Sequence, residues 1–189
     1  MPAIRLAAPA DSSRLLRIYA QYMATPITFE CTLPTEQDFA GRIERIAALY
    51  PYLVCEENGN AIGFAYAHRP MERAAYQWNA ELTVYLDRQA AAKGLGKRLY
   101  SVLSAILQLQ GVRNMYGCVT VPNAASEGLH RSMGFRLVGI YRNAGFKGGQ
   151  WHDVAWFEKA IGEFQGTPDP ITSIHDIPQQ QLYRLLASA

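Results

Sequence analysis

The sequence contains few cysteines, and their spacing excludes a disulfide-based fold. Three are present among 189 residues, at Cys31, Cys55 and Cys118. An odd, widely spaced set matches neither a disulfide framework nor the paired spacing of a cysteine-rich metal site. We therefore expect no bound metal, and we expect the reducing cytoplasm as the location, because unpaired thiols persist there.

Long apolar runs and an excess of charge of one sign are also missing. No apolar stretch approaches the roughly 20 residues of a membrane span, and the N-terminus lacks a signal-peptide pattern. The net charge is +2, so no general nucleic-acid surface is predicted. With 49% hydrophobic and 18% charged residues, the composition is that of a globular protein, and we expect neither a membrane nor a nucleic-acid partner.

Hydrophobic periodicity and turn residues predict a mixed α/β (α+β) domain over residues 1–163. Strands are expected near residues 4–6, 52–56, 61–67, 76–86, 115–121, 135–141 and 150–159. Helices are expected near residues 9–23, 35–50, 95–110 and 122–133. From residue 164 the composition becomes linker-like, so residues 164–189 are predicted to form an appendage with at most one short helix.

The stretch from Glu81 to Leu99 combines a strand, a turn and the start of a helix. Its first half is β-branched and aromatic, which predicts a buried strand, and Gly94 and Gly96 then open the helix. The first N–H groups of a helix lack intrahelical partners and carry the positive end of its dipole, so they can hold an anion. The spacing matches neither a Walker loop nor a dinucleotide fingerprint, and ordinary turn chemistry would give the same pattern.

A second motif, residues 123–126 with the sequence Asn-Ala-Ala-Ser, follows the fifth predicted strand. In this order and spacing, the two motifs resemble those of the GCN5-related N-acetyltransferases (GNAT). Segments 27–30, 73–76, 80–85, 129–130 and 145–154 are similar to the phosphinothricin and methionine sulfoximine acetyltransferase branch. The resemblance covers roughly residues 2–160 and implies a GNAT fold: a mixed, largely antiparallel central sheet with helices on both faces.

The resemblance implies acetyl-CoA as cosubstrate and assigns its contacts to one strand, the glycine turn and the start of the next helix. The implied cofactor-binding residues are Val84, Tyr85, Leu86, Ala92, Lys93, Gly94, Leu95, Gly96, Lys97, Asn123, Ser126 and His130. Relatives usually carry Gln or Arg where this chain has Ala91, so a side-chain contact to the pyrophosphate is lost. The backbone donors remain, and we expect Arg88, Lys93, Lys97 or Arg98 to supply the missing charge.

The resemblance also implies the catalytic residues. An α-amino group with a pKa of about 8 must lose a proton before it attacks a thioester, and Glu81 is the implied base. Read without the resemblance, Glu81 is a strand-entrance carboxylate paired with Arg73. His130 stands where relatives often have a tyrosine, and it is the candidate to contact pantetheine or to protonate the departing thiolate. Rival acids are Tyr100 and Tyr141.

The implied acceptor is a small-molecule amine: the α-amino group of an amino acid such as methionine sulfoximine, methionine sulfone or phosphinothricin. Such a molecule carries a carboxylate, which calls for cations beside an apolar wall. The expected substrate-binding residues are Phe29, Glu30, Arg73, Tyr76 and Lys147. Arg73 and Lys147 fit equally well as solvated loop charges. Alternative functions are acetylation of a protein N-terminus or an aminoglycoside, and a non-catalytic CoA-binding sensor.

Two further expectations concern the reaction path and the assembly. Cys118 is predicted to lie in the core, away from the pocket, so transfer is expected to be direct, without an acetyl-enzyme. A homodimer is expected because members of this branch usually pair. Trp78, Trp151, Trp156 and the aromatic residues of the tail also exceed what a small core requires.

Overall fold

A computed structural model describes residues 2–90 and 94–187 and contains a seven-stranded sheet. The strands are β1 (Ala3–Leu6), β2 (Tyr52–Glu57), β3 (Asn60–His68), β4 (Asn79–Leu86), β5 (Asn114–Val121), β6 (Arg136–Lys147) and β7 (Gln150–Ala160). Their order across the sheet is β1-β2-β3-β4-β5-β7-β6. Among the strand pairs of the described residues, only β4 and β5 are parallel, so the prediction of a mixed, largely antiparallel sheet is confirmed.

Helices cover both faces of the sheet, because the side chains of its inner strands alternate between two cores. Tyr52 and Val54 of β2 pack with α1 (Ser12–Ala20) and α2 (Glu36–Ala47). Leu53 and Cys55 belong to the opposite core with α3 (Leu95–Leu109). The chain also forms α4 (Ala124–Ser132) after β5 and α5 (Gln179–Ala187) near its end. Within the described residues, no helix has both the length and the apolar character needed to cross a membrane.

Local sequence signals are accurate where a side chain or a glycine fixes the backbone. Thr35 accepts a hydrogen bond from the Asp38 N–H at 3.1 Å and begins α2 as predicted. Asn58 and Gly59 adopt positive φ angles of 51° and 76° and close the β2–β3 hairpin, as their sequence indicates. These positions have one favourable local conformation, and the fold uses it.

The predicted boundaries of α1, β4 and β6 are wrong. Residues 9–11 form a 3₁₀ turn, and α1 ends at residue 20, not near residue 23. β4 begins at Asn79, not at Tyr76, because residues 74–76 form another 3₁₀ turn closed by the Tyr76 N–H on the Arg73 carbonyl at 2.9 Å. β6 continues through the expected glycine bend to Lys147, and Gly148 and Gly149, with φ of 61° and 81°, make the turn.

The segment after residue 163 packs on the rest of the chain. Gln110, at the end of α3, exchanges hydrogen bonds of 2.8 Å with Thr172, one through its backbone and one through its side chain. Ile174 and Ile177 are 3% and 5% exposed and join the core beneath α3. α5 then contacts α3 and β1, so it lies beside the helix that follows the glycine turn.

Candidate active site

The site begins where β4 and β5 stop pairing. Their parallel register runs from Asn79 opposite Asn114 to Glu81 opposite Tyr116, and it extends no further in the described part of the chain. On its other side, β4 remains paired with β3 up to Leu86. Beyond Glu81, the β4 backbone groups that face β5 therefore have no strand ladder to bond with, and a ligand can take that place.

One cavity in this opening has the form of a cofactor groove. It measures about 470 Å³ and is lined by residues that include the predicted Val84, Leu86, Gly94, Leu95, Gly96, Lys97, Asn123 and Ser126. Gly94 enters α3 with a φ of 74°, a conformation that glycine adopts without strain. A Cβ at Gly96 would touch Leu129 at 3.4 Å, so the small residue lets α3 approach α4. The predicted Ala92 and Lys93, and the departure at Ala91, lie outside the described residues.

A second cavity, which we call the chamber, adjoins the groove. It measures about 410 Å³ and shares Ile27, Val84, Asn123 and Ser126 with the groove. Its other walls are Tyr19, Thr28, Phe29, Glu30, Arg42, Tyr66, Glu81, Leu82, Thr83, Tyr85, Tyr100, Cys118, Val119, Thr120, His130 and Val154. Two molecules entering from opposite ends can therefore meet at the shared residues.

Glu81 faces the chamber at the point where β4 and β5 diverge. Burial raises the pKa of its carboxyl from about 4.5 to about 7. A group with this pKa ionises near neutral pH and suits a general base. On the paired strand β3, His68 Nε2 lies 4.0 Å from Glu81 Oε2, but burial lowers the pKa of this imidazole, so it is not a cation near pH 7. The alternative ion pair between Glu81 and Arg73 is not formed between these two described residues.

His130 lies at the boundary of the chamber and is 2% exposed. Its Nδ1 lies 2.8 Å from the Ser126 carbonyl, and because a carbonyl only accepts, Nδ1 carries the hydrogen. Burial lowers the pKa of the imidazole, although the bond to Ser126 acts in the opposite direction. The buried Nε2 has no hydrogen-bond partner among the described residues, and Gly117 makes room for the ring, since a Cβ there would overlap it.

Of the two rival acids, Tyr100 lines the chamber and Tyr141 does not. The Tyr100 hydroxyl donates to the Leu82 carbonyl at 3.1 Å. Its burial and the nearby Glu81 charge raise the pKa of the phenol, so the hydroxyl keeps its proton at neutral pH. Tyr141 is 63% exposed on β6.

The position predicted for Cys118 is wrong: its side chain is exposed and lines the chamber. The alternation along β5 buries Gly117 and Val119 and turns Cys118 the other way, into the opening. Apolar surroundings, with a further contribution from the Glu81 charge, raise the pKa of the thiol to about 12. The thiol therefore stays protonated near pH 7 and is a weak nucleophile.

A loop formed by residues 27–34 closes one side of the chamber, and the β6–β7 hairpin holds it. The Lys147 ammonium donates to the Thr28 and Glu30 carbonyls at 2.6 and 2.7 Å. Phe29 packs against Gly145, where a Cβ would overlap the ring. Lys147 itself is not among the described residues that line the chamber, so it stabilises the loop through these two hydrogen bonds without lining the cavity.

A polar cluster on the same wall joins this loop to α1 and α2. Arg42 Nη2 lies 2.5 Å from Glu30 Oε1, and the Tyr19 hydroxyl donates to Glu30 Oε2 at 2.9 Å. Burial acts against the charge of Arg42, but Glu30 more than compensates, and the pKa of the guanidinium is raised. Arg42 is the single Lys or Arg side chain among the described residues that line the chamber.

The predicted acceptor residues therefore separate into two groups. Phe29 and Glu30 line the chamber, whereas Arg73 and Tyr76 lie on the surface at the 3₁₀ turn and do not reach it in the described chain. Sequence reasoning missed Arg42 and Tyr66. Arg42 occupies an ordinary amphipathic helix and Tyr66 an ordinary strand, so neither carries a local signal. Their place in the site follows only from the packing of α2 on β3.

Comparisons with known proteins agree with a site in which a cofactor groove adjoins a second cavity. A family model described as "Acetyltransferase (GNAT) domain" matches residues 4–156. The chain belongs to the GNAT acetyltransferase family. It is 34% identical to a phosphinothricin N-acetyltransferase of Streptomyces viridochromogenes, over 92% of this chain and 95% of the relative. It is 31% identical to an L-methionine sulfoximine/L-methionine sulfone acetyltransferase of Salmonella typhimurium, over 88% of this chain and 98% of the relative.

A solved GNAT structure supports the same assignment and identifies the cosubstrate. A phosphinothricin acetyltransferase from Sinorhizobium meliloti, in complex with AcCoA, superposes with a TM-score of 0.85 at 35% identity. The match covers 89% of this chain and 93% of that chain. The GNAT fold and the branch predicted from the sequence are thus confirmed. The protein is an acetyl-CoA-dependent acetyltransferase.

Proposed function

We propose that this acetyltransferase moves the acetyl group of acetyl-CoA to the α-amino group of a small amino acid or analogue. Methionine sulfoximine, methionine sulfone and phosphinothricin are the candidate acceptors, in keeping with the relatives described above. The observation that carries the proposal is the position of Glu81, a half-buried carboxyl with a pKa of about 7 in a chamber that opens into the cofactor groove.

In the proposed reaction, Glu81 takes one proton from the acceptor's ammonium group. The free amine then forms a bond to the thioester carbon, the C–S bond breaks, and the amine loses its second proton. Backbone N–H groups on the unpaired edge of β4, near Val84–Leu86, stabilise the carbonyl oxygen. The departing thiolate takes up a proton, so each turnover with an ammonium acceptor releases one proton to solvent.

Tyr100 is favoured over His130 as the proton donor to the thiolate. A neutral imidazole that gives its Nδ1 hydrogen to Ser126 offers a lone pair at Nε2 and not a proton. Tyr100 keeps its hydroxyl hydrogen, which is bonded to the Leu82 carbonyl at rest, and lines the same chamber. It would give that hydrogen to the thiolate and regain one from the second proton that the amine loses. His130 then has a packing role, because its Nδ1 holds the Ser126 carbonyl and its buried Nε2 faces Gly117. The capping residues Asn123 and Ser126, which line the groove, are the candidates to contact the pantetheine arm.

Arg42 is proposed to bind the acceptor carboxylate, in the role expected of Arg73. A guanidinium has five N–H donors, and Glu30 engages Nη2, which leaves donors for a second carboxylate. Phe29 and Tyr66 offer apolar surface for the acceptor side chain. A chamber of about 410 Å³ suits a small molecule, whereas a protein N-terminus calls for an open groove.

A thiol-release assay tests the acceptor class. Acetyl-CoA is combined with methionine sulfoximine, methionine sulfone, phosphinothricin, ordinary amino acids, their decarboxylated analogues, polyamines, aminoglycosides and peptides. We expect turnover with the first three and loss of turnover when the carboxylate is removed. Preference for peptides or polyamines would overturn the proposal, and CoA binding without turnover on any amine would indicate a sensor.

Direct transfer is proposed because the Cys118 thiol, although it lines the chamber, is protonated near pH 7. Incubation with radiolabelled acetyl-CoA in the absence of acceptor tests this step. We expect no label to remain on the denatured protein. A stable acetyl label that disappears in Cys118→Ala would establish an acetyl-enzyme instead.

A cytoplasmic homodimer is proposed as the working form. The three cysteines are unpaired, as a reducing compartment allows.

The edge strand β6 and its hairpin with β7 expose apolar side chains, each at least 37% exposed: Leu137, Val138, Ile140, Tyr141, Phe146 and Trp151. Trp78 and Trp156 are half-buried, so this hairpin surface is the stronger argument for pairing. Light scattering that gives a monomer mass at assay concentration would remove the dimer.

A further inference from the structure

A third cavity separates the first turns of α3 from the C-terminal helix α5. It measures about 440 Å³ and is lined by Gly94, Lys97, Arg98, Ser101, Val102, Ala105 and Leu185. Gly94 and Lys97 also line the cofactor groove, so the two spaces meet at the turn that begins α3. A cofactor that follows the groove past this turn therefore enters the third cavity.

The lining of this cavity is divided between charge and apolar surface. Lys97 is exposed, Arg98 is half-buried, and the exposed Ser101 adds a hydroxyl one turn further along α3. Val102 and Leu185 supply apolar surface from opposite walls. A phosphorylated nucleoside needs this combination, because its purine ring seeks apolar contact and its phosphate seeks cations and hydroxyl donors.

The wall that α5 contributes is a fixed part of the fold. Leu182, Leu185 and Leu186 pack against the core that contains α3. The segment that leads to α5 is secured by the bonds between Gln110 and Thr172. The match to the GNAT family model ends at residue 156, so this wall comes from a segment beyond the matched domain.

We propose that the adenosine 3′-phosphate end of acetyl-CoA binds in this cavity, with Leu185 against the purine and Lys97 and Ser101 beside the phosphate. The inference rests on the proposed function, because it takes acetyl-CoA as the molecule that fills the groove. It gives the C-terminal segment a binding role: the tail completes the nucleotide end of the cosubstrate site.

Titration calorimetry with CoA and with 4′-phosphopantetheine, which lacks the adenosine, tests this inference. Leu185→Asp and Ser101→Glu each place a negative charge in the cavity, one from α5 and one from α3. Tyr183→Asp is the matched control, since it adds the same charge to α5 at a side chain that is 73% exposed. Ser101→Glu leaves the tail sequence intact, so the test remains available if Leu185→Asp does not fold.

We expect both cavity variants to weaken CoA binding about tenfold, which corresponds to about 1.4 kcal/mol, and to leave phosphopantetheine binding unchanged. The control should bind both ligands like the wild type. Equal weakening of the two ligands would overturn the inference, because the variants would then act through the turn and not through the adenosine. Unchanged CoA affinity would overturn it as well. A wild-type protein that binds phosphopantetheine but not CoA would also contradict it, whereas normal CoA binding without transfer to any amine would refute the proposed function alone.

Discussion

The arginine predicted for the acceptor pocket and the arginine that lines the chamber are different residues. Arg73 lies on an exposed turn, whereas Arg42 lines the chamber next to Glu30. Arg42→Gln should raise the KM of the amino-acid acceptor about tenfold to hundredfold, because a charge-assisted bond to the carboxylate is lost. The KM of acetyl-CoA should not change, since the groove does not contain Arg42.

Arg73→Gln is the matched control for that measurement. It removes an equal charge from the position predicted by sequence, and steady-state kinetics should show wild-type KM values for both substrates. If Arg73→Gln raises the acceptor KM and Arg42→Gln does not, the assignment to Arg42 is wrong and Arg73 reaches an acceptor in the assembled protein.

A second pair of variants distinguishes the two candidate proton donors to the thiolate, Tyr100 and His130. Tyr100→Phe removes the hydroxyl and should lower kcat by about tenfold to a hundredfold, while both KM values remain close to wild type. His130→Gln retains an N–H donor for the Ser126 carbonyl, and its kcat should fall by less than about threefold. Circular dichroism confirms that each variant folds. A large loss in His130→Gln with little change in Tyr100→Phe would return the acid role to the histidine.

At the level of elements, the chamber depends on a hairpin that holds a loop. Lys147→Met keeps the aliphatic stem but removes the ammonium that donates to Thr28 and Glu30. The loop should then be less ordered, which should raise the acceptor KM severalfold and increase hydrogen exchange at residues 27–34. The KM of acetyl-CoA should be unaffected.

Lys159→Met is the matched control for the loop. Lys159 donates to the Met133 carbonyl at 2.7 Å, so the same chemical change removes an ammonium–carbonyl bond on β7 that lies outside the chamber wall. The control should leave the acceptor KM and the exchange of residues 27–34 unchanged. If Lys147→Met is also silent, the hairpin does not hold the loop.

Most elements could be predicted from the sequence, because local signals specify them. Thr35, Asn58 and Gly94 each fix a cap or a turn. The side chains of β2 alternate between the two hydrophobic cores. The strand that contains Glu81 was predicted for the same reason. Boundaries were less accurate at residues 9–11 and 74–76, where 3₁₀ turns replace the expected helix and strand, and at β6, which extends beyond the glycine.

The composition of the site could be predicted only in part. Residues embedded in motifs, such as Glu81, Gly96, Asn123 and His130, lie on one or both of the two cavities, and their roles remain predictions. Arg42 and Tyr66 have no motif, since tertiary packing alone brings α2 over the loop and β3. Local hydrophobicity also misplaced Cys118, because the register of β5 turns this side chain into the opening.

At the scale of the whole molecule, three cavities follow one another from the chamber to the C-terminal helix. The divergence of β4 and β5 opens the first two, and α5 closes the third. On the proposals made above, the acceptor, the thioester and the nucleotide would bind one after another along these connected cavities. Glu81 lines the chamber at one end of this series, and the proposed reaction depends on its role as the base.

The pH dependence of acetyl transfer measures that role most directly. The kcat of wild-type protein with methionine sulfone should rise with pH through an inflection near 7, since Glu81 accepts a proton only when its carboxyl, with a pKa of about 7, is ionised. Glu81→Gln should lower kcat by at least about a hundredfold, lose that inflection and bind CoA normally. A Glu81→Gln protein that keeps the wild-type rate and pH profile would contradict the account.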